Sequence, residues 1–396
     1  MNVYITGIGM ISALGPDVDA ALDGLVTGRS GLGPIREVET RLRGRFVAGE
    51  VPMTNEELAS RAGLPDADLT RTTLLGYLAA REAWHNAGLG PADTARTGFI
   101  SASTVGGTGH AERYYPAFLD QQPTPNFIDT YDNADSTEFI AHRLGIREFV
   151  TTVNTACASS ANALVLGARL IRQGMLDRVV VGGTDALSRF TLNGFNALLL
   201  LDPEPCKPFD EHRKGINLGE GAAYLVLESE GLMRRRGAAP LARLSGYGLT
   251  NDAYHQTASS PNGYGLQLAI RQALQRAGLA PGSIGYLNAH GTGTANNDVT
   301  EGLAIKEVFA DGVPPFSSTK GFTGHALGAA GAIEAVISVL ALAHGLVWPN
   351  LNFNQPIADH GLVPARTLQK APALRHVLST SAGMGGSCCA LIFSQP

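Results

Sequence analysis

Three short stretches of the 396-residue chain place chemically able side chains just beyond a strand. In Thr155-Ala156-Cys157-Ala158-Ser159-Ser160-Ala161 an apolar strand ends, a cysteine follows, and a run of small residues opens a helix. A thiol at a helix N-terminus lies among free N–H groups at the positive end of the dipole, and both favour the nucleophilic thiolate. An isolated cysteine is more often an inert buried one, so the setting and the partners of Cys157 carry the expectation. In Asn288-Ala289-His290-Gly291-Thr292-Gly293-Thr294 and in Lys320-Gly321-Phe322-Thr323-Gly324-His325-Ala326 a histidine stands past a strand, flanked by glycine and threonine. One thiol and two imidazoles suit nucleophilic catalysis with hydrogen-bond donors beside it. No i, i+4 histidine pair or repeated cysteine spacing accompanies them, which argues against a metal centre.

The elements that must position these groups occur twice. Thr97 to Ser101 is strand-like, and Phe149 to Thr155 leads into Cys157 and the small-residue helix from Ala158; the strand Arg178 to Gly183 and the Gly-rich turn before Ala222 to Glu228 follow. The second half repeats that order: Ile284 to Ala289, then Pro315 to Thr319 leading into His325 and the helix from Ala326, then Val377 to Ser381 and Cys388 to Phe393. Short, continuous apolar strands alternating with helices predict α/β sheets covered on both faces. The expectation is a duplicated α/β protein: two sheets packed through the small-residue helices, one half over residues 1–238 with the cysteine and one over 239–396 with both histidines. Met1 to Leu14 reads as the first strand.

Composition limits the function classes. With 44% hydrophobic and 16% charged residues and a net charge of -5, the chain is neither disordered nor a basic nucleic-acid coat. Four cysteines, two of them adjacent, make no disulfide framework, and a reducing, cytoplasmic setting fits. Ala326 to Trp348 has the length and apolarity of a membrane span, yet it holds Glu334 and His344 and starts with small residues, so a buried core helix is expected. No Gly-rich phosphate loop with a following Lys-Ser or Lys-Thr suggests nucleotide use.

These motifs, in this order, resemble the β-ketoacyl-[acyl carrier protein] synthases of the condensing-enzyme family over essentially the whole chain. Asp252-Ala253-Tyr254-His255, Lys207-Pro208-Phe209-Asp210 and Gly385-Gly386-Ser387 add to the likeness to the elongating type. The resemblance implies the thiolase-like fold with five αβαβα layers. It implies that Cys157 takes an acyl group from a thioester, while His290 and His325 serve a malonyl thioester that loses carbon dioxide and attacks that acyl group. It further implies an oxyanion hole from the backbone N–H groups of Cys157 and Met384, Lys320 and Glu334 as supporting residues, and Thr292 and Thr294 along the pantetheine arm. No cofactor is implied beyond the phosphopantetheine of the acyl carrier protein, and the partners implied are that carrier and a second ketosynthase-type subunit. That subunit is a second copy or a homologue resembling a chain-length factor.

The chain departs from the fatty-acid elongating pattern at Ala382-Gly383-Met384-Gly385-Gly386-Ser387-Cys388, where Met384 replaces a gating phenylalanine. An adaptable thioether at the gate suggests an acyl pocket for something other than a simple saturated chain. Asn193-Gly194-Phe195-Asn196 and Asn296-Asn297-Asp298 resemble specialised-metabolite ketosynthases, the aryl-polyene type most of all. Fatty-acid elongation is the alternative. A chain-length factor lacks the nucleophile, and a thiolase uses a second cysteine in a Cys-X-Gly setting that Cys388-Cys389-Ala390 does not provide.

Overall fold

The computed structural model describes residues 2–65, 67–90, 95–125 and 127–396. Ten strands build its main sheet: β1 (Val3–Ser12), β2 (Thr97–Ala102), β3 (Phe149–Val153), β4 (Arg178–Asp185), β5 (Gly221–Ser229), β6 (Ala242–Asn251), β7 (Tyr286–Asn288), β8 (Phe316–Ser317), β9 (His376–Ala382) and β10 (Ser387–Ser394). Of the strand expected from Met1 to Leu14, Val3–Ser12 forms and Met1 lies outside the described residues. The spatial order is β3-β2-β4-β5-β1 followed by β6-β10-β9-β7-β8. In the first wing β2, β3 and β4 run parallel while β5 is antiparallel to β4 and β1. The second wing repeats this strand for strand, with β7, β8 and β9 parallel and β10 antiparallel to β9 and β6. The duplication read from the sequence is therefore present in the hydrogen bonding.

The two expected sheets are the wings of one formal sheet, joined only where Tyr4 pairs with Arg243 and Ile5 with Ala242. Between the wings lie two helices, α2 (Ser159–Arg172) and α5 (Ala330–His344), which touch each other and strands of both wings. Helix α1 (Arg71–Asn86) covers the outer face of the first wing, and α3 (Tyr264–Ala277) with α4 (Ala295–Phe309) covers that of the second. The five layers follow from amphipathic burial, since each wing has apolar residues on both faces and needs cover on both. Ala332 N–H donates to Ser160 Oγ at 2.8 Å, fixing the central helices against each other. The stretch Leu327–His344, long and apolar enough for a membrane, is 89% buried inside this middle layer.

One expectation fails. The resemblance to the condensing enzymes further implies a dimer in which a strand near Val179 to Gly183 pairs across a two-fold axis, but that strand is β4, which is already bonded to β2 on one side and β5 on the other. A strand with both edges satisfied has no ladder groups left to offer. The free edge of the first wing is β3, where Val150 is 37% exposed. All four cysteines are free thiols.

Candidate active site

Cys157 sits on a sharp turn between β3 and α2. Ala156 takes a left-handed φ of 53°, a costly conformation for a residue with a Cβ. Local bonds hold it there: Ser159 Oγ accepts from Thr155 N–H at 2.8 Å and donates to Ala156 O at 2.5 Å, and Asn162 Nδ2 donates to Thr155 Oγ1 at 2.7 Å and Ser387 Oγ at 3.1 Å. The C-terminal turn presses on this elbow so closely that a Cβ at Gly383 would come within 3.0 Å of Thr155 O and 3.2 Å of Cys157 N. That approach brings the Met384 N–H, together with the N–H of Cys157 itself, toward the sulfur. Burial pushes the Cys157 thiol up, against the downward pull of the Met384 N–H, the charge of Lys320 and its own N–H. Desolvation thus opposes the thiolate that the helix end and these N–H groups favour, as it does for any charged form withdrawn from water.

His290 follows β7, and His325 follows β8 through a short turn of helix at Lys320–Thr323. Both imidazoles are almost fully buried, with ring centres 5.3 Å apart and planes perpendicular. Leu327 N–H donates to His325 Nδ1 at 3.0 Å, so the proton of a neutral His325 resides on Nε2. Lys320 Nζ lies 3.2 Å from His290 Nδ1 and donates to His290 O at 2.5 Å. An ammonium has no acceptor, so His290 Nδ1 must accept and Nε2 again holds the proton. Burial, reinforced by the Lys320 charge, lowers both histidines well below the ordinary value. Each ring is thus a neutral imidazole with one fixed N–H donor.

Lys320 is held by Glu334, which projects from the first turns of α5 and is 2% exposed. Burial raises the Glu334 carboxyl to about 7, Lys320 opposing it, and its Oε2 has no hydrogen-bond partner. Neither residue lines the cavity; they stand behind His290, and the Lys320 ammonium sets its tautomer.

The cavity itself, about 250 Å³, is lined by Cys157, His290, His325, Thr292, Thr294 and Met384, with Phe195, Leu200 and Ile216 adding an apolar wall. All three chemically able groups therefore face one space, and Met384 borders it. Thr292 Oγ1 and Thr294 Oγ1 are 2.8 Å apart.

Several carboxylates that shape this site were missed by sequence reasoning. On α4, Glu301 accepts from His290 N–H (2.8 Å) and Gly291 N–H (2.7 Å), and Asp298 accepts from Thr292 N–H (3.0 Å) and Phe209 N–H (2.7 Å). Asp185, the last residue of β4, collects Ser103 Oγ, Thr104 N–H and Gly328 N–H, tying the first wing to the loop after His325. The partners of Asp185 and the Phe209 N–H bound by Asp298 are remote along the chain, and the nearer N–H groups of residues 290–292 reach Asp298 and Glu301 only through the turn that leads into α4.

Comparison with known proteins agrees with this arrangement. The family description "Beta-ketoacyl synthase, N-terminal domain" matches residues 1–231 and "Beta-ketoacyl synthase, C-terminal domain" matches residues 241–354. The chain is 35% identical to Nodulation protein E of Rhizobium meliloti (strain 1021), over 100% of this chain and 99% of that protein. It is 33% identical to 3-oxoacyl-[acyl-carrier-protein] synthase 2 of Staphylococcus aureus (strain N315), over 100% and 98%. Among solved structures, the ishigamide ketosynthase/chain length factor superposes with a TM-score of 0.92 at 34% identity, covering 100% of this chain and 99% of that one.

Proposed function

The chain belongs to the β-ketoacyl synthase family and is a ketosynthase of the type II kind, and from that premise we propose the residues that carry the reaction, its substrates and its assembly. The observation that carries the reading is the meeting of Cys157 with two neutral, Nε2-protonated imidazoles on one cavity. Cys157 sulfur attacks the carbonyl of an acyl thioester and keeps the acyl group, while the carrier thiol leaves with the thiol proton. A malonyl thioester then enters, its carboxylate departs as carbon dioxide, and the electron pair left behind becomes an enolate. The Nε2–H groups of His290 and His325 stabilise the oxyanion of that enolate. Its carbon attacks the acyl carbonyl on Cys157, the tetrahedral oxygen rests on the N–H groups of Cys157 and Met384, and collapse expels the Cys157 thiolate. The product is a β-ketoacyl thioester two carbons longer than the acyl group, the third malonyl carbon having left as carbon dioxide.

Acyl carrier protein is the proposed donor of both substrates, in keeping with the name of the Staphylococcus relative. The hydroxyls of Thr292 and Thr294 at the cavity wall meet the amides of its pantetheine arm, and no further cofactor is needed. The proposed location is the cytoplasm. Incubation with acyl- and malonyl-loaded carrier, with the β-ketoacyl carrier read by mass, tests the reaction.

The proposed pathway is type II polyketide synthesis of a polyene, of the aryl-polyene kind. Fatty-acid elongation is the second reading, favoured by the Staphylococcus relative. Met384→Phe separates them. A stiff ring in place of a flexible thioether at the cavity overpacks the entrance by about 1 to 3 kcal/mol. Condensation of long conjugated acyl groups should slow more than that of short saturated ones in a competition assay, and equal slowing would exclude Met384 as a selectivity element.

For assembly, the free edge of β3 is the proposed meeting place with a second subunit, a copy of this chain or a chain-length-factor-like homologue such as the one in the ishigamide ketosynthase/chain length factor structure. Val150→Asp, which places a charge on that edge, should convert the dimer to monomer in sedimentation at micromolar concentration. An undisturbed dimer would place the interface elsewhere. Solubility of the wild type only on co-expression with a homologue lacking the cysteine would decide for the heterodimer.

A further inference from the structure

At the end of α2 remote from Cys157 lies a second cavity, of about 270 Å³, bordered by Asn2, Arg172, Arg243, Ser245, Arg276 and Ala277. With 14 residues in α2 at about 1.5 Å each, its centre of charge is roughly 20 Å from the nucleophile. We propose that this cavity is a binding site for a phosphate-type dianion, free or as a small phosphate monoester.

Three guanidiniums converge on it from three different elements: Arg172 ends α2, Arg243 begins β6, and Arg276 lies in the last turn of α3. Among the described residues none of the three has a carboxylate partner within 4 Å. Their hydrogen bonds are also few. Arg172 Nη2 donates to Ser245 O at 3.4 Å and Arg276 Nη1 to Tyr247 O at 2.6 Å, while among the described residues the Arg243 side chain finds no acceptor and the Nε atoms of Arg172 and Arg243 are buried without one. Each guanidinium carries five donors, so most of this donor capacity is unused by the protein.

The groups are nevertheless held in place. Arg172 and Arg276 both pack on the ring of Tyr247, at 5.0 and 4.9 Å from its centroid, and this cation–π contact orients their planes without consuming N–H donors. Tyr247 is itself 5% exposed. Two helix C-termini face the cavity and each contributes a charge of about −0.5, which leaves a net of about +2 from the three arginines. A doubly charged oxyanion matches that excess, and the fork geometry of arginine suits its tetrahedral oxygens. A concave, three-sided site of this size favours a small anion over the convex face of an acidic protein. The site stands independently of the reaction at Cys157.

The test is calorimetric titration of the intact protein with inorganic phosphate and, separately, with a phosphate monoester such as 5′-AMP, at fixed ionic strength, for the wild type, Arg243→Gln and Arg276→Gln. Saturable one-site binding to the wild type, weakened at least tenfold in both variants while acyl loading of Cys157 without phosphate stays unchanged, is the expected result. Tighter binding of the monoester than of phosphate would name the monoester as the ligand, and equal affinity the free ion. No saturable heat, or equal affinity in wild type and variants, overturns the proposal. So does a loss of acyl carrier protein affinity in Arg243→Gln without any phosphate binding, since the patch would then be a docking surface.

Discussion

Cys157→Ala should abolish both acyl loading and condensation while the protein folds as before. The substitution removes one sulfur from a partly exposed position, and the bonds that build the elbow run through Thr155, Ala156, Ser159 and Asn162, not through the thiol. Stability should therefore change by no more than about 1 kcal/mol. Activity has no such reserve. The other three cysteines are buried and none of them lines the cavity that Cys157 shares with the two histidines, so none substitutes as nucleophile. Loss of a nucleophile that works as a unit with its neighbours costs about 10⁴-fold or more. Carbon dioxide release from the malonyl carrier should persist in the variant, because the two imidazoles remain. The measurements are intact mass after incubation with acyl carrier, and thermal unfolding beside it; an adduct in the variant would remove Cys157 from the account.

His290→Ala and His325→Ala form the second large effect, and its direction is a split between steps. Each substitution deletes one fixed Nε2–H donor to the enolate, a loss of about 2.7 to 4 kcal/mol, or about 10²- to 10³-fold in rate. Carbon dioxide release and condensation should fall by that factor. Acyl loading should fall far less, because the oxyanion hole proposed for that step is formed by the N–H groups of Cys157 and Met384 and not by either histidine. The Cys157 thiol is raised chiefly by burial and lowered by Met384 N–H and Lys320, and neither histidine figures among those influences. Single-turnover loading, followed by mass, and labelled carbon dioxide release separate the steps. An equal fall in both would mean that a histidine acts as the base for the thiol.

The chemistry was legible because its signals are local. A strand that ends in Cys157 before a small-residue helix, and two strand ends followed by His-Gly-Thr and Gly-His, need no knowledge of the rest of the chain. The duplication was legible for the same reason, since each half repeats the order of its parts. What escaped is set by contacts between distant residues. Strand β6 reads poorly because Gly246 and Gly248 look like turn residues, yet a Cβ on Gly248 would come within 1.8 Å of Ala269 O, and the glycine is there to let α3 approach. The anchoring roles of Asp185, Asp298 and Glu301 depend on backbone N–H groups that only the fold delivers to them. The desolvation that opposes the Cys157 thiolate comes from packing that the sequence around it does not contain. And the misplaced dimer strand followed from likeness of sequence where the deciding fact was a neighbour on each side of β4.

The most direct measurement is a single-turnover reaction on protein already carrying one acyl group. The protein is first loaded and the adduct located by peptide mass, then mixed with malonyl carrier labelled in the free carboxyl. The account predicts an adduct on Cys157 that disappears at the rate at which labelled carbon dioxide and the β-ketoacyl carrier appear, one of each for every acyl group lost. Product formed while the adduct persists, or an adduct on any other residue, would contradict it.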